Sequence, residues 1–429
     1  MTANCSFCGD PQTPERPLIA GDEGLICGDC VTLAGRIVER WGRRKALAEP
    51  LGQPPIPEEI KSRLDAYVIG QNEAKETLAV AIYNHYKRLA AESRPRVQRV
   101  DNVDEVELEK SNILLLGPSG TGKTLLARTL ARIVGVPFII ADATTLTQAG
   151  YVGDDVESLL ARLLGAADGN VALAEWGIIY LDEIDKLARA GESGHGIRDV
   201  SGEGVQQALL KLVEGEQVKV PVGNRRKDGG DTLFMDTRNV LFIAGGAFDG
   251  LEKLIESRSA KDAAGIGFNA SLTDRSDKSK TADFTKVHPE DLRRFGLIPE
   301  FIGRFPVMTS VDALEIDDMV RILTEPRNAL VRQYQALFEH EGADLEITED
   351  GLRAIARTAR DRGTGARGLR SVLEATLRKT MYRLPSHPDV IRCVVDGTAV
   401  MGTGEIKMIR RPTEGETENE EPQAVRAGG

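Results

Sequence analysis

The chain reads Asn-Ile-Leu-Leu-Leu-Gly-Pro-Ser-Gly-Thr-Gly-Lys-Thr from residue 112 to residue 124, an apolar run that passes into a glycine-rich turn. The turn matches G-x-x-x-x-G-K-[ST] and precedes a predicted helix, so it is identified as a P-loop, whose backbone N–H groups bind phosphate. Lys123 is expected to reach the β- and γ-phosphates, and the Thr124 hydroxyl to bind Mg²⁺. The candidate ATP-binding residues are Gly117, Pro118, Ser119, Gly120, Thr121, Gly122, Lys123, Thr124 and Leu125.

A second apolar run, from Ile178 to Leu181, ends in the adjacent carboxylates Asp182 and Glu183. Adjacent acidic residues at a strand end are able to address a metal ion and a water molecule separately. Asp182 is therefore expected to hold Mg²⁺ with Thr124, and Glu183 to polarise the water that attacks the phosphate. Taken alone, such a pair is as often a solvated strand end. The P-loop upstream favours the catalytic interpretation.

Short apolar runs alternate with helical patterns between residues 112 and 244, which predicts the buried parallel strands of an α/β sheet. The predicted strands are Asn112–Leu116, Pro137–Ala141, Gly177–Leu181 and Asn239–Ala244. After about residue 311 the pattern is mainly helical, at 315–340, 349–361 and 367–383, with one strand at 390–396. The sequence therefore predicts an α/β large domain and a small, mainly helical C-terminal domain.

Four of the five cysteines, Cys5, Cys8, Cys27 and Cys30, follow the spacing C-x2-C, eighteen residues, C-x2-C. This spacing is typical of a structural zinc site, because each C-x2-C turn directs two thiolates at one ion and Zn²⁺ takes four ligands. A redox disulfide pair and four unrelated thiols are the alternatives. A helix is predicted at 31–48, and Cys393, in an apolar stretch, is expected to be a core residue.

The predicted organisation has five segments. They are a zinc-binding module at 1–48, a proline-rich linker at 49–62, the large domain at 63–310, the small domain at 311–405 and an acidic tail at 406–429. The tail has no core residues and is expected to be disordered.

Composition excludes several classes of protein. The 429 residues carry 55 basic and 66 acidic side chains, a net charge of −11, which argues against a protein that binds duplex DNA by bulk charge. No window reaches the roughly 18 apolar residues of a membrane helix. The first thirty residues resemble neither a signal peptide nor a transit peptide, so a cytoplasmic location is expected, where thiols stay reduced.

The P-loop, the Asp182–Glu183 pair and the helical C-terminal domain resemble those of AAA+ ATPases, and further segments resemble the ClpX family of unfoldases. The similarity covers about residues 5–400. Besides the zinc module, the segments that carry it are Gly150–Gly153, Arg198–Gln207, Gly265–Phe268, Gly296–Arg304 and Gly365–Arg370.

This resemblance implies a ring homohexamer with ATP bound at the subunit interfaces. Arg304 resembles the arginine finger that acts on the neighbouring subunit's nucleotide, and Arg367 resembles the small-domain arginine that contacts phosphate in its own subunit. Val68 and Ile69 resemble the apolar segment that packs on adenine, although apolar residues there are otherwise ordinary core. The segment 244–247 lacks the polar residue with which many AAA+ proteins end this strand.

Two loops resemble functional loops of the family. Tyr151 and Val152 resemble a pore loop that grips a passing chain, and Arg198–Ser201 resembles a second one. Ile266, Gly267 and Phe268 resemble the tripeptide that docks on the ClpP peptidase; the alternative is a loop folded onto its own core. The basic segment 224–230 lacks the histidine that the family usually carries, which leaves the degradation-tag preference open.

The leading hypothesis is an ATP-driven unfoldase that threads unfolded or tagged proteins into a partner ClpP-type peptidase, with adaptor proteins at the zinc module. The chain itself carries no Ser/His/Asp or thiol/His constellation, so it is not expected to be a peptidase. A remodelling chaperone that works without a peptidase is one alternative. A nucleic-acid-remodelling ATPase is another, against which the acidic balance weighs.

Overall fold

The computed structural model describes residues 3–13, 17–21, 24–34, 54–92, 108–147, 154–188, 202–221, 232–263 and 284–411. In these ranges the chain forms a small N-terminal module, an α/β domain and a mainly helical domain. Within the same ranges, we find no helix with the length and apolar character needed to cross a membrane.

The N-terminal module contains an antiparallel hairpin of β1 (Leu18–Ala20) and β2 (Leu25–Cys27). A helix, α1, follows directly, and its described part covers residues 28–34. The rest of the helix predicted at 31–48 lies outside the described residues. The next helix, α2 (Pro57–Asp65), begins inside the segment 49–62 that was predicted to be linker, because Pro57 occupies the first helical turn, where proline is favoured.

The large domain alternates strands with helices. Its further helices are α3 (Asn72–Glu92), α4 (Lys123–Val134), α5 (Ser158–Ala166), α6 (Val171–Ala174), α7 (Glu203–Glu214), α8 (Leu251–Ala263), α9 (Pro289–Phe295) and α10 (Pro299–Gly303). Its strands are β3 (Ile113–Leu116), β4 (Phe138–Asp142), β5 (Leu146–Thr147), β6 (Asp154–Asp155), β7 (Ile178–Asp182), β8 (Gln217–Pro221), β9 (Thr232–Asp236), β10 (Leu241–Gly246) and β11 (Val307–Ser310).

Among the described residues, five parallel strands form the central sheet, in the order β11, β3, β10, β7, β4. Four of them confirm the predicted strands to within one or two residues. The fifth, β11, was not predicted as a strand, because the sequence Val-Met-Thr-Ser is half polar. It lies at the edge of the sheet and is only partly buried, so it lacks the continuous apolar pattern of its neighbours.

Alternate residues of the central strands face two separate cores. Leu114, Leu116 and Leu181 pack with α5, α7 and α10 on one face of the sheet. Ile113 and Leu115 pack with α2, α3 and α4 on the other. Because both faces are covered, these strands are apolar at every position, which is why they were recognisable in the sequence.

The small domain packs helices around a three-stranded sheet. Its elements are α11 (Ile316–Thr324), α12 (Leu330–His340), β12 (Asp344–Ile347), α13 (Glu349–Asp361), α14 (Gly365–Arg383), β13 (Val390–Val395), α15 (Gly397–Val400) and β14 (Lys407–Arg410). The helical stretch predicted at 315–340 is two helices, broken at Pro326, whose ring is incompatible with a helix interior. Cys393 lies in the domain core, as predicted.

Two strands of this sheet were not predicted. β12 pairs parallel with β13, and β14 pairs antiparallel with its other edge. The predicted start of the disordered tail at residue 406 is therefore wrong, since Lys407–Arg410 belongs to the folded domain. Residues 412–429 lie outside the described part of the chain.

Candidate functional site

The P-loop forms the turn between β3 and α4, and three of its glycines have positive φ angles. At Gly117, with φ of 136°, a β-carbon would lie 2.6 Å from Val311 Cγ2, because the chain leaving β11 packs directly on the loop. Gly122, with φ of 99°, precedes the first residue of α4. A side chain is disfavoured at both positions, so the glycines let the backbone form the tight turn that leads to a helix amino terminus.

The side chain of Lys123 turns back into the P-loop and is 7% exposed. Its ammonium donates hydrogen bonds to the carbonyl oxygens of Gly117 (2.6 Å) and Pro118 (2.8 Å). Burial lowers the pKa of Lys123 to about 8, and the charges of Asp182 and Asp185 oppose this shift. A bound triphosphate adds negative charge beside this ammonium, so it is expected to raise the pKa again.

Asp182 ends β7 next to the start of α4. Its Oδ2 accepts a hydrogen bond of 2.8 Å from the Thr124 hydroxyl, and its Oδ1 accepts one of 3.1 Å from the Glu183 N–H. A β-carbon at Gly245 of β10 would collide with the Tyr180 hydroxyl, because the Tyr180 ring lies over this glycine. The carboxylate and the hydroxyl are hard oxygen ligands that meet at one point, and they fit a Mg²⁺ ion that also binds phosphate.

Glu183 follows Asp182 in the left-handed conformation, with φ of 57° and ψ of 34°. Such a conformation costs energy for a non-glycine residue and persists where the surrounding structure holds it, often at functional sites. The side chain of Glu183 is exposed, whereas Asp182 is half-buried and bonded to Thr124. The two adjacent carboxylates therefore have different environments, and their separate roles stay predictions.

The amino end of α14 brings the small domain against the P-loop. The Ala366 N–H donates to the Gly120 carbonyl oxygen at 3.2 Å. A β-carbon at Gly120 would lie 2.9 Å from the Thr364 carbonyl oxygen. Arg367 follows Ala366 directly and so lies beside the P-loop, and its charge, after burial as the main cause, also lowers the pKa of Lys123.

Val68 and Ile69 are 5% and 7% exposed, respectively, in the turn between α2 and α3. Nearby, Gln71 makes a contact that was not predicted. Its side-chain amide exchanges two hydrogen bonds, of 2.9 and 2.8 Å, with the backbone of Asp312 after β11. This clamp joins the Val68–Ile69 segment to the connection between the domains.

Arg304 lies away from the P-loop of its own chain. Its carbonyl oxygen accepts a hydrogen bond of 2.8 Å from Asn112 Nδ2, at the amino end of β3, whereas the P-loop follows the carboxyl end of that strand. Its guanidinium binds Glu214 of α7, at 2.7 and 3.0 Å. The structure therefore brings Lys123, Thr124, Asp182, Glu183 and Arg367 together, and leaves Arg304 at the amino end of β3, away from them.

Asp185 is a buried carboxylate that was not among the predicted site residues. Its Oδ1 accepts a hydrogen bond of 3.2 Å from the Ala247 N–H. A β-carbon at Gly246 would lie 2.6 Å from the same oxygen. The end of β10, which lacks a polar side chain of its own, is thus held by a carboxylate from the adjacent segment. The position of Asp185, three residues after Asp182 in a short 3-10 helix, was the available sequence signal.

The thiols of Cys5, Cys8, Cys27 and Cys30 converge at the base of the β1–β2 hairpin. Their sulfur atoms all lie within 4.8 Å of one another, and those of Cys8 and Cys27 are 3.8 Å apart. A tetrahedral zinc ion with Zn–S bonds of about 2.3 Å holds its sulfurs about 3.8 Å apart. Backbone hydrogen bonding, from Cys8 first, lowers the pKa of Cys5 to about 6, whereas side-chain hydrogen bonding to Cys27 raises the pKa of Cys30 to about 12, as expected of thiols that share protons at close range. The four residues therefore fit a structural zinc ion.

Several predicted residues lie outside the described part of the chain. They are Tyr151 and Val152, the second pore segment 198–201, the basic segment 224–230 and the docking tripeptide Ile266, Gly267 and Phe268. Their functions stay predictions.

Comparison with family models divides the chain as the fold does. Residues 3–40 match the ClpX C4-type zinc finger, and residues 108–308 match an AAA domain of the Cdc48 subfamily. Residues 314–392 match the C-terminal D2-small domain of ClpB protein. The AAA match contains the P-loop and the Asp182–Glu183 pair, and the zinc-finger match contains all four converging cysteines.

Whole-chain comparison finds relatives of nearly the same length. The chain is 57% identical over 416 residues to "ATP-dependent Clp protease ATP-binding subunit ClpX 3" of Methylococcus capsulatus, which covers 96% of each protein. It is 55% identical over 392 residues to the ClpX subunit of Azotobacter vinelandii, covering 91% of this chain and 88% of the relative. It is 48% identical over 384 residues to the ClpX subunit of Treponema denticola, covering 89% and 90%.

Proposed function

Because the chain belongs to the ClpX family of AAA ATPases, we propose that it couples ATP hydrolysis to the unfolding of proteins and threads them into a ClpP-type peptidase. The relatives are named as ATP-binding subunits of the Clp protease, which is the direct support for such a partner. The P-loop, the Asp182–Glu183 pair and the four converging cysteines support this proposal.

The position of Arg304 carries the proposal that the active form is a ring homohexamer. Arg304 lies at the amino end of β3, and the P-loop lies past its carboxyl end. A strand of this length spans about 13 Å, so the guanidinium is remote from its own nucleotide. A second copy, placed head to tail, is able to receive Arg304 at its own P-loop, and a head-to-tail contact that closes forms a ring.

The proposed division of work in hydrolysis follows from the side-chain contacts. Lys123 binds the β- and γ-phosphates, since its ammonium already lies within the turn of the P-loop. Thr124 and Asp182 would hold Mg²⁺, which neutralises phosphate charge when bound. Glu183 orients the attacking water, and Arg304 of the neighbouring copy stabilises the charge that develops in the transition state.

Arg367 is proposed to report the nucleotide state to the small domain. It follows Ala366, whose N–H is bonded to the P-loop carbonyl of Gly120. A phosphate contact by Arg367 would therefore pull on the amino end of α14, and with it on the small domain. We further propose that Val68 and Ile69 pack on adenine, because they lie next to the Gln71 clamp that joins the domains.

The remaining roles rest on the family. Tyr151 and Val152 would grip the translocating chain, and Ile266, Gly267 and Phe268 would dock on the peptidase. The zinc module would receive substrates or adaptor proteins. A cytoplasmic location is consistent with thiols that bind zinc rather than form disulfides.

A single reaction tests the proposal. A stably folded fluorescent protein with an unstructured peptide tag is incubated with the chain, ATP and ClpP, and Glu183→Gln serves as the control that binds ATP without hydrolysing it. Loss of fluorescence together with fragment release is expected for the wild type alone. Loss of fluorescence without fragments would instead favour a peptidase-independent chaperone. An ATPase rate stimulated by DNA, without unfolding, would favour nucleic-acid remodelling and contradict the proposal.

A further inference from the structure

Gln206 lies near the amino end of α7 and is completely buried. Its Nε2 donates to the Leu187 carbonyl oxygen at 2.7 Å and to the Gly296 carbonyl oxygen at 3.4 Å. Its Oε1 accepts a hydrogen bond of 2.8 Å from the Ile298 N–H. An amide side chain has an NH2 group that donates and an oxygen that accepts hydrogen bonds. In Gln206 both groups bond to backbone atoms of other segments.

The three partners of Gln206 belong to two functional segments. Leu187 ends the 3-10 helix that follows Glu183. Gly296 follows the last residue of α9, and Ile298 immediately precedes α10. One buried side chain therefore joins the segment that carries the proposed catalytic glutamate to the segment that carries Arg304.

The helix that leads to Arg304, α10, depends on tertiary contacts such as the hydrogen bond to Gln206. α10 has only five residues, and the side chain before it forms no cap. A helix this short is not stable by itself, so its position is set by tertiary contacts. Phe301 and Ile302 bury one side of it in the core. The amide of Gln206 fixes its first turn through the N–H of Ile298.

Both ends of this segment are held by the same helix. Gln206, near the amino end of α7, binds the residue before α10, and Glu214, the last residue of α7, binds the guanidinium of Arg304. The two residues of α7 are eight positions apart, which corresponds to about 12 Å of helix. α7 therefore defines both the start of α10 and the direction of the arginine side chain.

Glu183 has supports that do not involve Gln206. Asp182 pairs with Asp142 of β4, and Leu181 pairs with Ala244 of β10. Thr124 bonds the carboxylate of Asp182, and the Ala247 N–H bonds Asp185 two residues after Glu183. Removal of the Gln206 amide is therefore expected to leave Glu183 anchored and to loosen the start of α10, where the Ile298 N–H loses its side-chain partner.

We propose that Gln206 is a positioning residue for Arg304. By fixing the start of α10, Gln206 orients Arg304 toward the nucleotide of the neighbouring copy. This role rests on the proposed function, in which Arg304 completes the site of another subunit. The variant Gln206→Met keeps the length of the side chain and removes its hydrogen bonds. The matched control is Gln207→Met, because Gln207 is the next residue of α7, is exposed, and bonds Glu203 on the surface at 3.3 Å.

In rings of one variant, Gln206→Met is expected to lower kcat for ATP hydrolysis by roughly tenfold to a hundredfold, the effect of a displacement of about 1 Å in a catalytic group. KM for ATP is expected to change less than twofold, because an arginine finger acts mainly in the transition state. Gln207→Met is expected to leave both constants unchanged. A loss confined to KM would overturn the proposal.

Mixed rings separate an effect on Arg304 from an effect on Glu183 or on folding. Glu183→Gln chains supply Arg304 without hydrolysing ATP, and Arg304→Ala chains hydrolyse ATP only beside such a donor. Gln206→Met placed in the Glu183→Gln chain is expected to abolish most of the activity of this mixture. Placed in the Arg304→Ala chain, it is expected to leave the activity within twofold.

The outcomes of the mixing experiment are distinct. Equal loss from both placements would mean misfolding or a general structural role, and loss only from the second would mean action through Glu183. Either result overturns the positioning of Arg304 by Gln206. If the parent mixture, without Gln206→Met, is inactive while both chains bind ATP, the role of Arg304 in the neighbouring site fails first, and the inference fails with it.

Discussion

Replacing Gly117 by alanine measures how closely the end of β11 shapes the P-loop. The new β-carbon would lie 2.6 Å from Val311 Cγ2 and would also crowd the Val311 carbonyl group. Carbon atoms in contact prefer a separation of about 3.5–4.0 Å, so one of the two segments must move by about 1 Å. The φ of 136° adds backbone strain for any residue with a β-carbon. Strain and crowding together are expected to lower the free energy of unfolding by roughly 4 kcal/mol.

Gly135→Ala is the matched control for this variant. Gly135 also has positive φ, 78°, but a β-carbon there would meet nothing within 4 Å. Only the conformational cost remains, about 1 kcal/mol. Thermal unfolding is expected to show a fall in Tm of roughly 10 °C for Gly117→Ala and roughly 3 °C for Gly135→Ala.

Binding of a fluorescent ATP analogue provides the second measurement on this pair. Gly117→Ala is expected to weaken binding more than about tenfold, since the P-loop itself is displaced, whereas Gly135→Ala is expected to leave it unchanged. Equal falls in Tm for the two variants, with undiminished binding by Gly117→Ala, would refute the close packing of Val311 on the P-loop.

Two further predictions concern protonation and the metal. Lys123 has a lowered pKa of about 8 in the free protein, so ATP binding is expected to take up a proton at pH values between about 8 and its usual pKa near 10.5. Calorimetry at pH 8.5 in buffers of different ionisation enthalpy measures this proton uptake. The uptake should vanish in Lys123→Arg and, in the wild type, at pH 6.5. Equal heats in all buffers at pH 8.5 would contradict the buried position of Lys123. Removal of zinc by a chelator is expected to unfold residues 3–34 but to leave the basal ATPase rate unchanged, because the cysteines lie outside the ATPase domains. Circular dichroism measures the unfolding, and phosphate release measures the ATPase rate. A β1–β2 hairpin that stays folded after metal loss would exclude a structural zinc site.

The central strands, the P-loop and the zinc cysteines were predictable because their signals are local. Ile113–Leu116 is apolar at every position, since both faces of the sheet are covered. The edge strand β11 escaped prediction because only one of its four residues is fully buried. β12 and β14 are likewise short and partly exposed, and their pairing with β13 depends on residues distant in sequence.

The polar residues that organise the site were missed for a physical reason. Gln71 bonds a residue 241 positions away, and Gln206 bonds one 92 positions away. An isolated glutamine in a helical pattern is usually a surface residue, so neither the residue type nor its position in the pattern indicates a buried hydrogen bond to a distant segment. The location of Arg304 at the amino end of β3, away from the P-loop of its own chain, could be known only from the fold. The family resemblance suggests a role for Arg304 but gives no distance.

The most direct test of the central claim mixes two variants that are each expected to be inactive alone. Equal amounts of Glu183→Gln and Arg304→Ala chains are combined, and phosphate release is compared with that of each variant and of the wild type. If Arg304 completes the site of the neighbouring copy, random mixing leaves about one interface in four with both an intact Glu183 and a donated Arg304, so about a quarter of the wild-type rate is expected. A mixture as inactive as its two components would contradict the claim that the ATPase site is shared between copies of this chain.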